Sequence, residues 1–417
     1  MRRRLLIVLA VLVALAVGAV AAYVVHRKHE DRNIRGSSTV EFVTTAPPPT
    51  VTRTPLGVPW PMFGLVTTRT HSIALPLRPP FRTVWTYHAG SLVEFPPSVG
   101  YGRMYVSTNS GKFAAVNVRT GRTAWKYYAR RCVAASPAIG PLHHGSVYAV
   151  FLNRPPCNAQ TGGHGSNGEV IEFGAGFGKI RWTKIIGPSE TSPLLVGKRL
   201  YVGDWNGSVW ALDARNGKTV WRYKTGGAVK GGLATAGGRL YVGSYDGHVY
   251  CLSTEGTLIW KAAAEPRLYG SSQFYSTPAI AYGRVYIGST DGKVYSYGAA
   301  SGKLRWSHGT GGYVYGSPAV WNDRILIGSY NGDFYSFDAA TGDVKWKFKA
   351  NGPISGSATV VDGVVYFSTL KRKTYALDAA TGKPVWTYPD GKYSPVVAIE
   401  GRLLLVGFGQ VYGMVPR

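Results

Sequence analysis

Two hydrophobic patterns divide the chain. Near its start, Leu5 to Val25 is an unbroken apolar run of the length that crosses a bilayer as a helix. Beyond about residue 80 the pattern changes to short alternating segments separated by Gly, Asn and Asp, which predicts strands joined by tight turns. Gly316 to Lys349 shows one unit in full: "GSPAVW" predicts a first strand and "NDRILIGS" a turn and second strand. "YNG" follows as a hairpin turn whose positive φ suits Asn and Gly, then "DFYSFD" as a third strand, "AATG" as a turn and "DVKWKFK" as a fourth. Alternation in "DFYSF" and "DVKWKF" gives each strand two faces that can be buried, as stacked sheets require.

The unit recurs. Its fourth strand carries Trp85, Trp125, Trp182, Trp221, Trp260, Trp306, Trp346 and Trp386, at steps of 40, 57, 39, 39, 46, 40 and 40 residues. A four-stranded repeat of about 40 residues is the length of a propeller blade. After Trp386 the sequence supplies three strands and no Trp strand, whereas "FRTVWTYHAG", Phe81 to Gly90, is a Trp strand without the preceding three. The expected fold is therefore all-β. It is an eight-bladed propeller of four-stranded blades, its ring closed by the N-terminal strand joining the C-terminal strands, which removes exposed sheet edges.

Four regions are expected: a short cytoplasmic N-terminus at 1–4, a transmembrane signal-anchor at 5–25, a linker at 26–59 and the propeller at 60–417. Arg2, Arg3 and Arg4 favour the N-terminus inside, although Arg27 and Lys28 weaken the asymmetry. A cleaved signal peptide is the rival reading, since "AVAA" at Ala19 to Ala22 contains Ala-x-Ala, but the run exceeds the usual cleavable core of about 7 to 15 residues. The expected location is the cell membrane, single-pass, with the propeller on the extracytoplasmic side. Pro, Ser and Thr with no periodicity make Arg32 to Pro59 read as an extended spacer.

The units "LYVGSYDGHVYCLSTEGTLIW", "VYIGSTDGKVYSYGAASGKLRW" and "VVYFSTLKRKTYALDAATGKPVW" resemble the PQQ-type repeat with its tryptophan-docking strand. That repeat is found in eight-bladed quinoprotein dehydrogenases and in BamB-type outer-membrane assembly lipoproteins. "WPMFG", Trp60 to Gly64, resembles the segment that often precedes such propellers. The resemblance covers residues 60 to 417 and implies the fold; it leaves enzyme and non-enzyme open. Quinoprotein dehydrogenases hold the quinone beside a disulfide between adjacent cysteines, with a calcium ion and an Asp base. This sequence has neither a Cys-Cys pair nor a Cys-x-x-Cys-His haem site, and it lacks the lipid-bearing Cys of the BamB type. No cofactor is expected; PQQ with calcium belongs to the alternative, a redox enzyme.

Other chemistry is equally unmarked. Ser136, Thr277 and Ser317 recur at first-strand starts and read as structural, and most Asp fall in turns. His143, His144 and His164 lie in the long 57-residue unit, but adjacent His on a strand point to opposite faces and do not share an ion. Cys132 is expected to pair with Cys157, leaving Cys251 buried and free at a position held by Ala211 and Ala376 in sister units.

The informative positions are those where the repeat differs from itself. Two residues before the first-strand Ser, the column reads Glu94, Ala134, Glu190, Lys230, Tyr275, Tyr315, Ser355 and Ser394. Arg130, Arg131, Tyr269, Phe274 and Tyr313 lie nearby in sequence, and Trp205, Tyr245 and Tyr330 precede hairpin turns expected on the same face. These residues make the channel mouth the candidate site, for a peptide, glycan or partner loop, against the plain alternative that the rings pack over neighbouring turns. Net charge of +26, of which +21 lies beyond residue 60, favours anionic partners in the envelope. The expected function is a non-catalytic binding or scaffold propeller contacting an envelope protein or an anionic wall or membrane polymer, not nucleic acid; an extracellular ligand sensor is a further alternative.

Overall fold

The computed structural model describes residues 2–30, 32–44, 50–54, 58–154, 168–267 and 271–417. Arg2–Glu30 is one helix, and Leu6–Val25 within it is long and apolar enough to cross a membrane, with none of it buried against the rest of the chain. Among the described residues the strands form eight sheets. Seven hold four successive strands in chain order, as in Ala319–Trp321, Arg324–Gly328, Asp333–Asp338 and Val344–Lys349, and one of the seven gains Ser72–Ile73 as a parallel fifth strand beside Thr359–Val361. The eighth joins Phe81–His88 to Gln410–Pro416, Arg402–Val406 and Val396–Ile399, so the two ends of the repeat region share one blade, as the split unit requires.

Every blade carries a one-residue bulge immediately before its Trp; in Ala211↔Trp221 followed by Leu212↔Thr219, Val220 is the extra residue. The bulge turns the indole towards the next blade. There Trp182 Nε1 donates to Ala214 O at 3.1 Å and Trp306 Nε1 to Ala339 O at 2.9 Å, and the rings lie over turn glycines Gly217 and Gly342. At the closing seam the next blade has no such turn, because the two ends of the repeat region meet there. Phe81 takes its place, edge-on to Trp386 at 5.6 Å.

The central channel is filled by the chain itself. Trp60 to Ile73 circles inside it, bonding the first strands of successive blades. Trp60 pairs with Val99, and the amides of Ile139, Thr235, Ile280, Val320 and Val360 donate to the carbonyls of Pro61, Thr67, Thr68, Thr70 and His71. Inner-strand amides that would otherwise face channel water are thereby satisfied. Arg69 locks the strap: fully buried, it donates from Nε to Leu233 O at 2.8 Å, from Nη2 to Ser192 O and Pro193 O, and from Nη1 to Phe63 O. Burial lowers its pKa to about 9.

The described part of the segment expected to be a spacer is docked on the propeller. Ile34 pairs with Ser307 on the outer edge of one blade, Phe42 stacks on Tyr282 at 5.0 Å, and Glu41 binds Arg305. The cause lies in the blade: buried Arg284 needs acceptors, and the carbonyls of Ser37, Val40 and Glu41 supply them. Cys132 is disulfide-bonded and Cys251 is a buried free thiol; Cys157 and His164 lie outside the described residues.

Candidate binding site at the channel mouth

The loops from each fourth strand to the next first strand, and the turns between second and third strands, converge on one end of the channel. Hydroxyls stitch their bases together. The backbone N–H of Ser136, Gly232, Thr277 and Ser317 donates to Ser192, Thr277, Ser317 and Ser357 of the neighbouring blade at 2.8 to 3.0 Å, so these Ser and Thr are structural.

Above this ring lies a cavity of about 400 Å³. Its walls include Glu94, Glu190, Lys230, Tyr245, Tyr275, Tyr315 and Tyr330 from the divergent positions, together with Phe95 and Tyr393. Phe63 of the internal strap also lines it, which makes the cavity a blind pocket and not the entrance of a pore. Glu190 is buried and accepts from Trp205 Nε1 at 2.9 Å, Tyr275 OH at 3.3 Å and Lys230 Nζ at 3.3 Å. The Lys230 ammonium sits 4.3 Å over Trp205 and 5.0 Å over Tyr245. From there rings follow one another: Tyr245 to Tyr275 at 6.3 Å, Tyr275 to Tyr315 at 5.5 Å, Tyr315 to Tyr330 at 5.9 Å and Tyr330 to Tyr313 at 6.1 Å.

Burial raises the Glu190 pKa against the opposing pull of Lys230, Trp205 and Tyr275. Glu94, across the pocket, accepts from Asn109 Nδ2 at 3.5 Å. Burial, reinforced by the Glu190 charge, raises its pKa to about 7. Burial likewise holds Tyr275 far above the usual phenol range, so its OH is a donor at any physiological pH.

The sequence profile of the family described as outer membrane protein assembly factor BamB matches residues 82–154, 161–229, 206–317 and 290–417. The chain belongs to this BamB family. The BamB of Burkholderia pseudomallei is 26% identical over 130 residues, covering 30% of this chain and 32% of the relative, so the match spans about a third of that protein's length. Two solved structures share the fold. BamB from Moraxella catarrhalis has a TM-score of 0.64 at 19% identity, over 81% of this chain and all of that one. Quinohemoprotein alcohol dehydrogenase from Comamonas testosteroni has 0.69 at 15%, over 86% and 81%.

Within this BamB-family propeller the nine candidate residues fall together. Seven line the pocket, Trp205 backs its Lys230 wall, and Tyr313 lines an adjoining cavity of about 490 Å³ that shares Tyr330. Their neighbours in sequence do not all follow. Phe274 is core, edge-on to Tyr295; Arg131 pairs with Glu169 at 3.1 Å, Arg130 is exposed, and Tyr269 lies outside the described residues. Phe63, Phe95, Asn109, Lys392 and Tyr393 escaped sequence reasoning. Phe63 was signalled by a dense apolar run, Trp60 to Val66, outside any repeat unit. His143 and His144 sit in a short 3-10 turn rather than on a strand, and His143 Nδ1 bonds Glu172 at 2.9 Å. The pocket lining holds two carboxylates, Glu94 and Glu190, the second of them paired with Lys230.

Proposed function

We propose that this protein is a membrane-tethered, non-catalytic binding propeller of the cell envelope, with the blade side outside the cytoplasm and the channel mouth as the seat for a segment of an envelope protein. One observation carries this reading. The mouth is where otherwise repeating blades diverge, and the divergent side chains form a single blind pocket of carboxylates, a lysine and tyrosines. Membership of a family described as an outer membrane protein assembly factor supports a protein partner. An anionic polymer is less suited to a pocket walled by Glu94 and Glu190; the basic outer surface is the place for it.

The test is site-specific photo-crosslinking in cells. A crosslinking residue at Tyr330 should give a discrete adduct with an envelope component, and Tyr315→Ala with Lys230→Glu should abolish it. The same probe at Phe177, an exposed position away from the mouth, should give none. Equal adducts from both positions, or an adduct insensitive to the double variant, would remove the mouth from consideration.

A further inference from the structure

Glu190 shows what this pocket does with a carboxylate: an ammonium sits against it and over two aromatic faces, Trp205 and Tyr245. Glu94 lines the same aromatic pocket with no cation paired to it among the described residues. Its carboxylate lines the cavity beside Tyr275, Tyr315 and Tyr393, its hydrogen bond is the long one from Asn109, and among the described residues it forms no ion pair. Lys392 is within electrostatic reach but rests over Phe408 at 4.9 Å and Tyr393 at 5.4 Å. Resting on the reading of the mouth as a protein-binding seat, we propose that Glu94 receives a Lys or Arg side chain of the partner, inserted among these tyrosines. The flanking peptide then runs over Tyr315, Tyr330 and Tyr313 into the adjoining cavity beside Asn331 and Asp291.

Charge and shape agree on this occupant. The space is of side-chain scale, and the adjoining cavity shares Tyr330 with it. An aromatic wall beside a carboxylate suits a cation that is partly desolvated. The groups facing Glu94 are Glu190, Lys392, Tyr275 and Tyr393, with Lys230 spent on Glu190. With the Glu94 pKa near 7, the socket is anionic above neutrality and loses its charge in mild acid.

The experiment uses the full chain in detergent micelles and two fluorescein-labelled pentapeptides, Gly-Gly-Arg-Gly-Gly and its Gln counterpart, followed by anisotropy. At pH 8 the Arg peptide should bind about tenfold or more tightly than the Gln peptide, and the preference should fall about tenfold or more by pH 5.5, as Glu94 takes up its proton. Glu94→Gln should erase both the preference and its pH dependence; Glu94→Asp, which keeps the charge, should retain the preference, separating loss of the socket from loss of the fold. Equal affinity for the two peptides, or a full preference in Glu94→Gln, overturns the proposal. If the peptides are not distinguished while the Tyr330 crosslink persists and remains sensitive to mouth substitutions, the cationic anchor is wrong and the mouth as a binding seat stands. Loss of both disposes of both.

Discussion

Gly342→Ala tests the interlock between blades. Gly342 has φ +77°, and a Cβ there would lie 2.7 Å from the indole of Trp306, a fully buried side chain. Two costs follow. The left-handed backbone costs about 1 to 2 kcal/mol for a residue with a Cβ, less about 0.4 to 1 kcal/mol returned by the stiffer unfolded chain. The indole must also move, which loosens its packing and its hydrogen bond to Ala339 O, for about 1 to 3 kcal/mol more. The net expectation is about 2 to 4 kcal/mol. Gly237→Ala is the matched control, because φ there is +56° and nothing lies within 4 Å of the added carbon, so backbone strain alone remains at about 1 kcal/mol or less. Urea midpoints of the full chain, read by far-UV circular dichroism, compare the two, and amide exchange in Val344–Lys349 reports whether the loss is local. Equal destabilisation by the two substitutions would refute the account, because it would mean that the glycine serves the turn and not the tryptophan.

Two further devices can be probed by substitution. Arg69→Met should leave the carbonyls of Leu233, Ser192, Pro193 and Phe63 without their donor and cost about 3 kcal/mol or more, seen as faster amide exchange at Thr235, Ile280 and Val320 and as protease cleavage near residues 58–77. Reducing the protein, or replacing Cys132 with Ala, should lower stability by about 3 kcal/mol in the chain-entropy account, measured as the shift in urea midpoint, while Cys251→Ala should leave that shift intact.

How much of this was legible in the sequence depends on whether a feature repeats. The eight Trp, each on the last strand of a similar unit, recur at steps of 39 to 57 residues, so the ring, its blade count and its split blade follow from the pattern alone. The mouth residues were found by the opposite signal, as positions where the repeat changes, and they converge because all loops of one class open at one end of a propeller. The internal strap had no such mark: Arg69 reads as an ordinary surface cation until four carbonyls from separate parts of the chain are seen around it. The docked segment from Ile34 to Val43 was hidden for a related reason, since its stability comes from Arg284 and Arg305 far along the chain and not from any periodicity of its own.

Glu94 carries a further consequence that needs no partner. Its folded pKa of about 7 stands above the ordinary value of 4.5, so the folded protein holds this proton where the unfolded chain has released it. Between those two values the native state binds more protons than the unfolded state, and stability from this group falls as pH rises. Below pH 4.5 both states are protonated and the term vanishes; above 7 both are ionised and the cost is complete. The ceiling is about 3 kcal/mol, reduced to about 1 to 3 kcal/mol because one side of the carboxylate meets the water of the pocket. Gln at this position is neutral at every pH and keeps the shape. Glu94→Gln should therefore be more stable than the parent at pH 8, by an amount that shrinks steadily to near zero at pH 4.5, in paired thermal melts across the range. A difference that stays constant with pH would assign the effect to packing and would mean that Glu94 is ionised in an ordinary way, with no charge held in reserve for a cationic partner.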